Sequence, residues 1–374
     1  MNEKAPWVRY QSTPSMATGG VSQDLSVFLA NQVMSMNDRD ADAAMSLMTK
    51  FAYGVVDGDT YRLLGEPVVR AAVENGASHV DISGEPAFLE LMQLKYAEHA
   101  KEKGVYVIGA CGWDSIPCDL GVDFLKRNFD GTLANVETVV RSNSGPAGYA
   151  INNGTYQTLI LGISSMRTDN LGKIRRTIMP QRLPESKSKP PKRSALWHCQ
   201  EGELDSWVLP FLGSDKSIVQ RSQYYDYHAN NRRPVLINTY YGLSSLFWAV
   251  LVTLWLTVFA IFAMFGPTRR LLQAYPDLCS FGMFKADGPS KEQIAGASFA
   301  YYFFGTGWAE SAICRGPDAG YVATAGCITA AAAAILHDKD RLPKEGGVYT
   351  TASALRDTKI YDHLKSFGIT FEKL

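Results

Sequence analysis

The sequence predicts an α/β chain: a partial parallel sheet built from strand–helix–strand units, with a membrane-associating apolar helix further along. Three observations predict it. Short apolar runs alternate with helical segments over residues 51–122, the order that yields parallel strands and right-handed crossovers. The helical segments take proline at their starts and glycine past their ends. Residues 243–265 form one uncharged apolar run.

Residues 1–50 open with the loop-like "QSTPSMATGGVSQ" and continue with apolar spacing that suits one or two helices. "FAYGVV", residues 51–56, is a strand that ends in the turn Asp57-Gly58-Asp59. "GEPVVRAAVENG" is a helix with Pro67 in its first turn and Gly76 at the C′ position. "SHVDIS" alternates as a strand. "GEPAFLELMQLKYAEHAKEKG" is a second helix, with Phe88, Leu91, Met92 and Tyr96 on its apolar face and Gly104 closing it. "VYVIGA" is a continuous apolar strand, and "SIPCDLGVDFLKRNF" the helix beyond it.

Ligands of a parallel sheet bind at the carboxyl ends of its strands. Three turns line that edge here: Gly58-Asp59, Ser83-Gly84-Glu85 and Gly112-Trp113-Asp114. The third crowds acids and a proline where strand meets helix, in "VYVIGACGWDSIPCDLG". Asp114 or Ser115 can cap the helix, and Asp119 can complement its dipole. Alternatively, an acid at a helix start on the ligand edge can orient or protonate a substrate carbonyl or imine. Glu66 and Glu85, each in a "GEP" at a helix start, fit the capping account better. Cys111 and Cys118 flank the turn with no histidine nearby in sequence, which predicts buried structural thiols.

Composition narrows the classes. Lys plus Arg equals Asp plus Glu at 37 each, so no net field favours nucleic acid. The six cysteines are scattered with no C-x-x-C pair, and no H-E-x-x-H occurs. No metal site or disulfide framework is expected, and the thiols suit a reducing compartment. The N-terminus lacks the order of a secretory signal.

In "NNGTYQTLILGISSM" a loop enters a helix that Asn153 or Thr155 caps, unless they face substrate. "PQRLPESKSKPPKRS", residues 180–194, reads as a mobile loop whose basic residues stay solvated or touch anionic headgroups. As a helix, residues 243–265 would reach about 35 Å, against about 30 Å of bilayer core. No charge occurs between Arg233 and Arg269. Tyr240 and Tyr241 at one end, and Arg269-Arg270 at the other, are the expected interfacial anchors. The competing account, a buried core helix, would usually keep a polar stripe.

The stretch from "GEPVVRAAVENG" to "GWDSIPCDLG" resembles the saccharopine dehydrogenase-like oxidoreductases. The likeness resumes in "PFLGSDKSIVQRSQ", "GPDAGYVAT" and "LPKEGGVYTTASAL", and so covers roughly residues 60–374. The resemblance implies a partial Rossmann-type NAD(P)-binding part over 51–122 and a second α/β (α+β) part, for substrate or dimerisation, over 123–315, into which the hydrophobic segment 243–265 is inserted. It also implies a C-terminal part over 316–374, whose helix 321–337 packs back on the first. It further implies NAD or NADP as cofactor near Gly58, Ser83, Gly84 and Gly112, with Asp114 and Asp119 near the reacting centre. A small-molecule substrate, lipids included, and a homodimer are compatible with it. A lipid droplet is the implied location, with the mitochondrion as alternative and the functional domains facing the cytosol.

The family's opening strand and G-x-x-G-x-x-G turn have no counterpart before residue 60. Gly19-Gly20 follows no apolar strand, and Gly58-Asp59 stands where the family has Gly-Pro. The piece between "FFGTGWAES" and "AICRGPDAGYVAT" is also shorter than the family's. These departures predict a truncated Rossmann-type part and weak or absent cofactor binding. Two readings follow: a membrane- or droplet-associated NAD(P)-dependent oxidoreductase of lipid or glycolipid metabolism, or a non-catalytic membrane-associated scaffold. Because 281–374 must pack with 60–230, the apolar run is expected to insert from one face and return.

Overall fold

A computed structural model describes residues 65–166, 168–184, 189–305 and 310–374. The strand expected at 51–56, Gly58 and the 1–50 segment lie outside the described residues. Helix α1 (Glu66–Glu74) takes Pro67 in its first turn, and Gly76 follows its end at φ 74°. Then come β1 (His79–Val80), α2 (Pro86–Lys103), β2 (Tyr106–Ile108) and α3 (Ile116–Asn128). β1 and β2 pair in parallel, His79 opposite Val107. β1 is shorter than "SHVDIS" promised because Asp81 turns to a local task. Its Oδ1 accepts from Ser83 N–H at 2.8 Å and Ala110 N–H at 3.4 Å, drawing the turns after β1 and β2 together. Helix α2 is buried beyond one apolar stripe, since Glu90 is 0% exposed between apolar neighbours. Arg175 Nε reaches its two oxygens at 2.9 and 3.0 Å.

The chain continues through β3 (Asn135–Asn143), β4 (Ile151–Asn152), α4 (Asn153–Ser165), α5 (Leu171–Ile178), β5 (Trp197–Glu201), β6 (Leu204–Pro210), α6 (Asp215–Asn230) and β7 (Leu236–Leu243). It then forms α7 (Leu246–Met264), α8 (Gly266–Ala274), α9 (Pro276–Cys279), β8 (Phe284–Lys285), α10 (Lys291–Gly296), β9 (Ser298–Gly305) and β10 (Ser311–Pro317). A π-turn (Ala319–Ala323) leads into α11 (Thr324–His337), followed by β11 (Gly347–Tyr349), α12 (Thr351–Leu355), α13 (Ile360–Ser366) and β12 (Thr370–Lys373). Seven strands make one sheet in the order β12-β10-β9-β3-β7-β6-β5; of its pairs only β3–β7 is parallel. Strand period sorts its faces. Phe299, Tyr301 and Phe303 of β9 join the cluster that contains α3, while Tyr302 and Phe304 join the opposite one. Gly121 lets α3 lie this close: a Cβ there would sit 2.1 Å from the Phe303 ring.

β11 returns to the small sheet as its third parallel strand, in the order β1-β2-β11, with Gly347 opposite Tyr106. Helix α11 covers that sheet. Cys327, Ala330, Ala331 and Ala334 are fully buried in the cluster that holds Ile108 and Cys111. Both α11 with its π-turn and α7 are long and apolar enough to cross a membrane by length and composition. The buried alanine face makes α11 a core helix instead.

Helix α7 differs from its expected bounds. Leu243 closes strand β7, and Tyr240 and Tyr241 lie within that strand, with Tyr240 8% exposed. They are sheet residues, placed by the alternation of "LINTYYGL", and not interfacial anchors. The helix proper has 19 residues, about 28 Å. Ala249, Phe259 and Ala263 are buried, and the last two pack with Tyr156 and Ile160 of α4. Phe247, Trp248, Leu251, Leu254, Val258 and Ile261 point outward, exposed. Gly266-Pro267 then turns the chain into α8, which touches both α4 and α7.

Two smaller expectations also shift. The residue that caps α4 is Asn152, whose Oδ1 accepts from Gly154 N–H at 2.8 Å, not Asn153 or Thr155. In the 180–194 loop the described residues form no helix or strand. Arg193 there is held, its Nη2 2.7 Å from Glu137 Oε2 and its guanidinium 4.0 Å from the Trp197 ring centroid.

Candidate functional site

The carboxyl ends of β1 and β2 open into a cleft of about 1910 Å³, well beyond the ~300–1,000 Å³ of an ordinary small-ligand site. Ser83, Gly84, Gly112 and Asp114 all line it. A Cβ built on Gly84 would come no nearer than 3.7 Å to other atoms, and on Gly112 no nearer than 3.6 Å. Packing therefore does not demand these glycines. Gly84 is exposed and leaves an open floor at the strand end, where a flat ring can approach the backbone, while Gly112 is buried against Ile82 and Thr324.

Asp114 is the acid of this floor. Neither it nor Ser115 caps α3 through a side chain. Ser115 Oγ instead lies 3.4 Å from Asp114 Oδ1 and 2.9 Å from Ser214 Oγ. Asp114 keeps one face open to the cleft while the rest sits in protein. Burial pushes its carboxyl up to about 6, against the hydrogen bonds from Ser115 and Ser214 that pull it down. Behind it lies Asp215, fully buried, whose Oδ2 accepts the Tyr301 hydroxyl at 2.8 Å. Burial first, then the neighbouring Asp114, hold the Asp215 carboxyl well above the usual range.

Asp119 is elsewhere. It does not line the cleft and is 1% exposed. Its Oδ2 accepts from Ser222 Oγ at 2.8 Å, Thr351 Oγ1 at 2.8 Å and Ala352 N–H at 2.7 Å. This carboxyl ties α3 to α6 and α12 through Oδ2, and its other oxygen, Oδ1, is buried away from the cleft. Cys111 and Cys118 are buried free thiols, and burial pushes both well up.

The structure adds residues that the sequence did not single out. Ser214 and Asp215 begin α6 inside "PFLGSDKSIVQRSQ", and Tyr301 reaches Asp215 from β9. On another wall of the cleft the Tyr149 hydroxyl donates to the Asp318 carboxylate. Asp318 Oδ1 in turn accepts Tyr321 N–H at 2.6 Å and Val322 N–H at 3.1 Å, fixing the π-turn. The signal for both was a short acid-bearing motif at a helix start, "GSD" and "GPDAG", which reads equally as a cap.

The open floor suits the reacting end of a nicotinamide dinucleotide. The diphosphate end is different. Two of the described helix starts beside the cleft, Gly65-Glu66-Pro67 and Glu85-Pro86, each carry a carboxylate and a proline that has no N–H. Phosphate wants free N–H groups and no negative neighbour. Among the described residues no group of three His, Cys, Asp or Glu could hold a metal ion.

No family model matches the sequence. The chain is 51% identical over 369 residues to a lipid droplet localized protein of Caenorhabditis elegans, covering 94% of this chain and 87% of that one. It is 41% identical over 324 residues to a human saccharopine dehydrogenase-like oxidoreductase, covering 83% and 75%. A probable mitochondrial saccharopine dehydrogenase-like oxidoreductase of Arabidopsis thaliana is 28% identical over 378 residues, covering 91% and 82%.

Proposed function

Because the chain belongs to the saccharopine dehydrogenase-like oxidoreductases, a family that uses NAD(P), we propose an NAD(P)-dependent oxidoreductase seated on a lipid surface. Asp114 is its proton-handling group. One observation carries this reading: a carboxyl held up to about 6, open on one side, at the carboxyl edge of a parallel sheet beside the exposed Gly84.

When bound, the nicotinamide supplies or accepts the hydride. Ser83, Gly84 and Gly112 would lie against its reacting end. The substrate presents a carbonyl, imine or activated double bond to Asp114, which gives a proton to the atom that gains negative charge. Ser115 and Ser214 fix the carboxyl so that its open side faces the cleft. The apolar outer face of α7 rests in the lipid layer, with the cleft on the cytosolic side. The C. elegans relative's name supports this placement, and the plant relative's supports a mitochondrial alternative. The dinucleotide binds weakly, because two of the helix starts beside the cleft bear Glu-Pro where phosphate needs N–H groups.

The Glu-Pro helix starts favour a second reading, a lipid-surface scaffold without redox activity. Equilibrium titration with NADPH and NADH separates the two. Weak, saturable binding that fails in Gly84→Val supports the oxidoreductase. A dissociation constant in the low micromolar range overturns weak binding, and no binding at all overturns the redox assignment.

A further inference from the structure

The cleft does not end at Asp114. It runs on along α4, whose Thr155, Thr158, Leu159, Gly162 and Ile163 form its wall, and reaches Val252 and Leu256 of α7. Helix α4 is thus a partition. Its Tyr156 and Ile160 pack on Phe259 and Ala263 of α7, while its other side faces the cleft. Helix α7 is apolar both ways: Val252 and Leu256, one turn apart, face inward, and Leu251 and Leu254 beside them face out at 42% and 59% exposure. Met166 and Leu212 also line the cleft and are 74% and 68% exposed. Large apolar side chains in that position suit a cover of lipid and not water. Asp169, which lines this arm too, has its carboxylate bonded by Ser165 Oγ at 2.6 Å.

We propose that this arm is a binding subsite for the acyl chain of a lipid drawn sideways from the layer in which α7 lies. The chain passes Met166 and Leu212, lies along α4, and brings its reducible group to Asp114. The walls carry the argument: aliphatic and small side chains, continuous with an exposed apolar helix, accept a flexible methylene chain, and the Asp169 carboxylate beside them keeps its Ser165 hydrogen bond. Only the redox fate of the chain rests on the oxidoreductase reading; its binding does not.

The test uses the full chain on phosphatidylcholine vesicles that contain a diazirine-labelled long-chain fatty acid, with cross-links located by mass spectrometry. Label is expected on Leu159, Ile163, Leu212 and Leu256, displaced by unlabelled oleate. A Cβ on Gly162 meets nothing within 4 Å, so Gly162→Trp projects into the arm. It should cut cleft label by about tenfold, a loss of ~1.4 kcal/mol in chain binding, and spare label on Leu254 and Ile261. Thr158→Trp, on the same wall, should do the same if Gly162→Trp fails to fold. Label confined to the outer face of α7, or cleft label unmoved by either folded variant, overturns the proposal. NADPH titration of the same samples separates the two readings. Cleft label without NADPH binding sinks the redox assignment alone, and NADPH binding without cleft label sinks the acyl subsite alone.

Discussion

Asp114→Asn replaces the floor acid with a group of nearly the same shape and no charge. The parent carboxyl moves from 3.8 to about 6 on folding. At 1.36 kcal/mol per unit, the ionised form is strained by up to ~3 kcal/mol, a ceiling because one face meets water. The sign follows from proton linkage. Between 3.8 and about 6 the folded state holds the proton more tightly than the unfolded chain, so stability falls as pH rises through that window. Asparagine escapes this loss but gives up one accepted hydrogen bond, about 1 kcal/mol at any pH. The variant should therefore be about 2 kcal/mol more stable than the parent at pH 7 and about 1 kcal/mol less stable near pH 3. Urea denaturation in non-ionic detergent, followed by tryptophan fluorescence across that range, measures the difference. A gap that does not change with pH refutes the raised carboxyl. Turnover should fall by about a hundredfold or more, and unchanged turnover would reduce Asp114 to a structural group.

Asp119→Ala strips the acceptor from three buried donors and should cost about 3–5 kcal/mol in a thermal melt; normal stability with lost activity would return Asp119 to the reacting centre. Arg356→Met leaves Asp226, now 2.6 Å from the Arg356 guanidinium, in protein with a weaker partner, for a loss of about 3–5 kcal/mol by denaturant titration. Burial opposes ionisation of Asp226, yet the Arg356 hydrogen bond and charge hold its carboxyl below the usual range. That stability is present above the unfolded value and fades on acidification, so the gap between parent and variant should narrow in acid. Gly121→Ala forces a methyl into the Phe303 ring and should cost at least about 1–3 kcal/mol. Leu254→Asp with Val258→Asp should lower co-flotation with lipid droplets by about tenfold or more while the melting temperature stays put; undiminished flotation would detach α7 from the lipid surface.

The first three helices were legible because proline starts, with glycine stops on the first two, are local signals, and so was the gathering of Ser83, Gly84, Gly112 and Asp114 at one edge. The use of each acid was not. An aspartate in the first turn of a helix looks the same in sequence whether it faces solvent or a cleft, or knots a core. For Asp119 the deciding partner, Thr351, lies 232 positions away. Asp215 and Tyr301 meet across 86 positions and two elements, a contact no local pattern announces. The tyrosine pair beside the apolar run resembled a membrane belt, since aromatic residues serve interfaces and strands alike; the alternation in "LINTYYGL" was the discriminating sign. β11 was missed because three residues show no period.

That third strand has a consequence for biogenesis. Tyr106 meets Pro343, 237 positions later, and the Asp119 junction likewise waits for Ala352. During synthesis the early body must therefore stay unfinished on the ribosome while the whole intervening sheet, and the sticky α7, emerges. Such distant closure is slow, and this protein should lean on chaperones until its last segment is released.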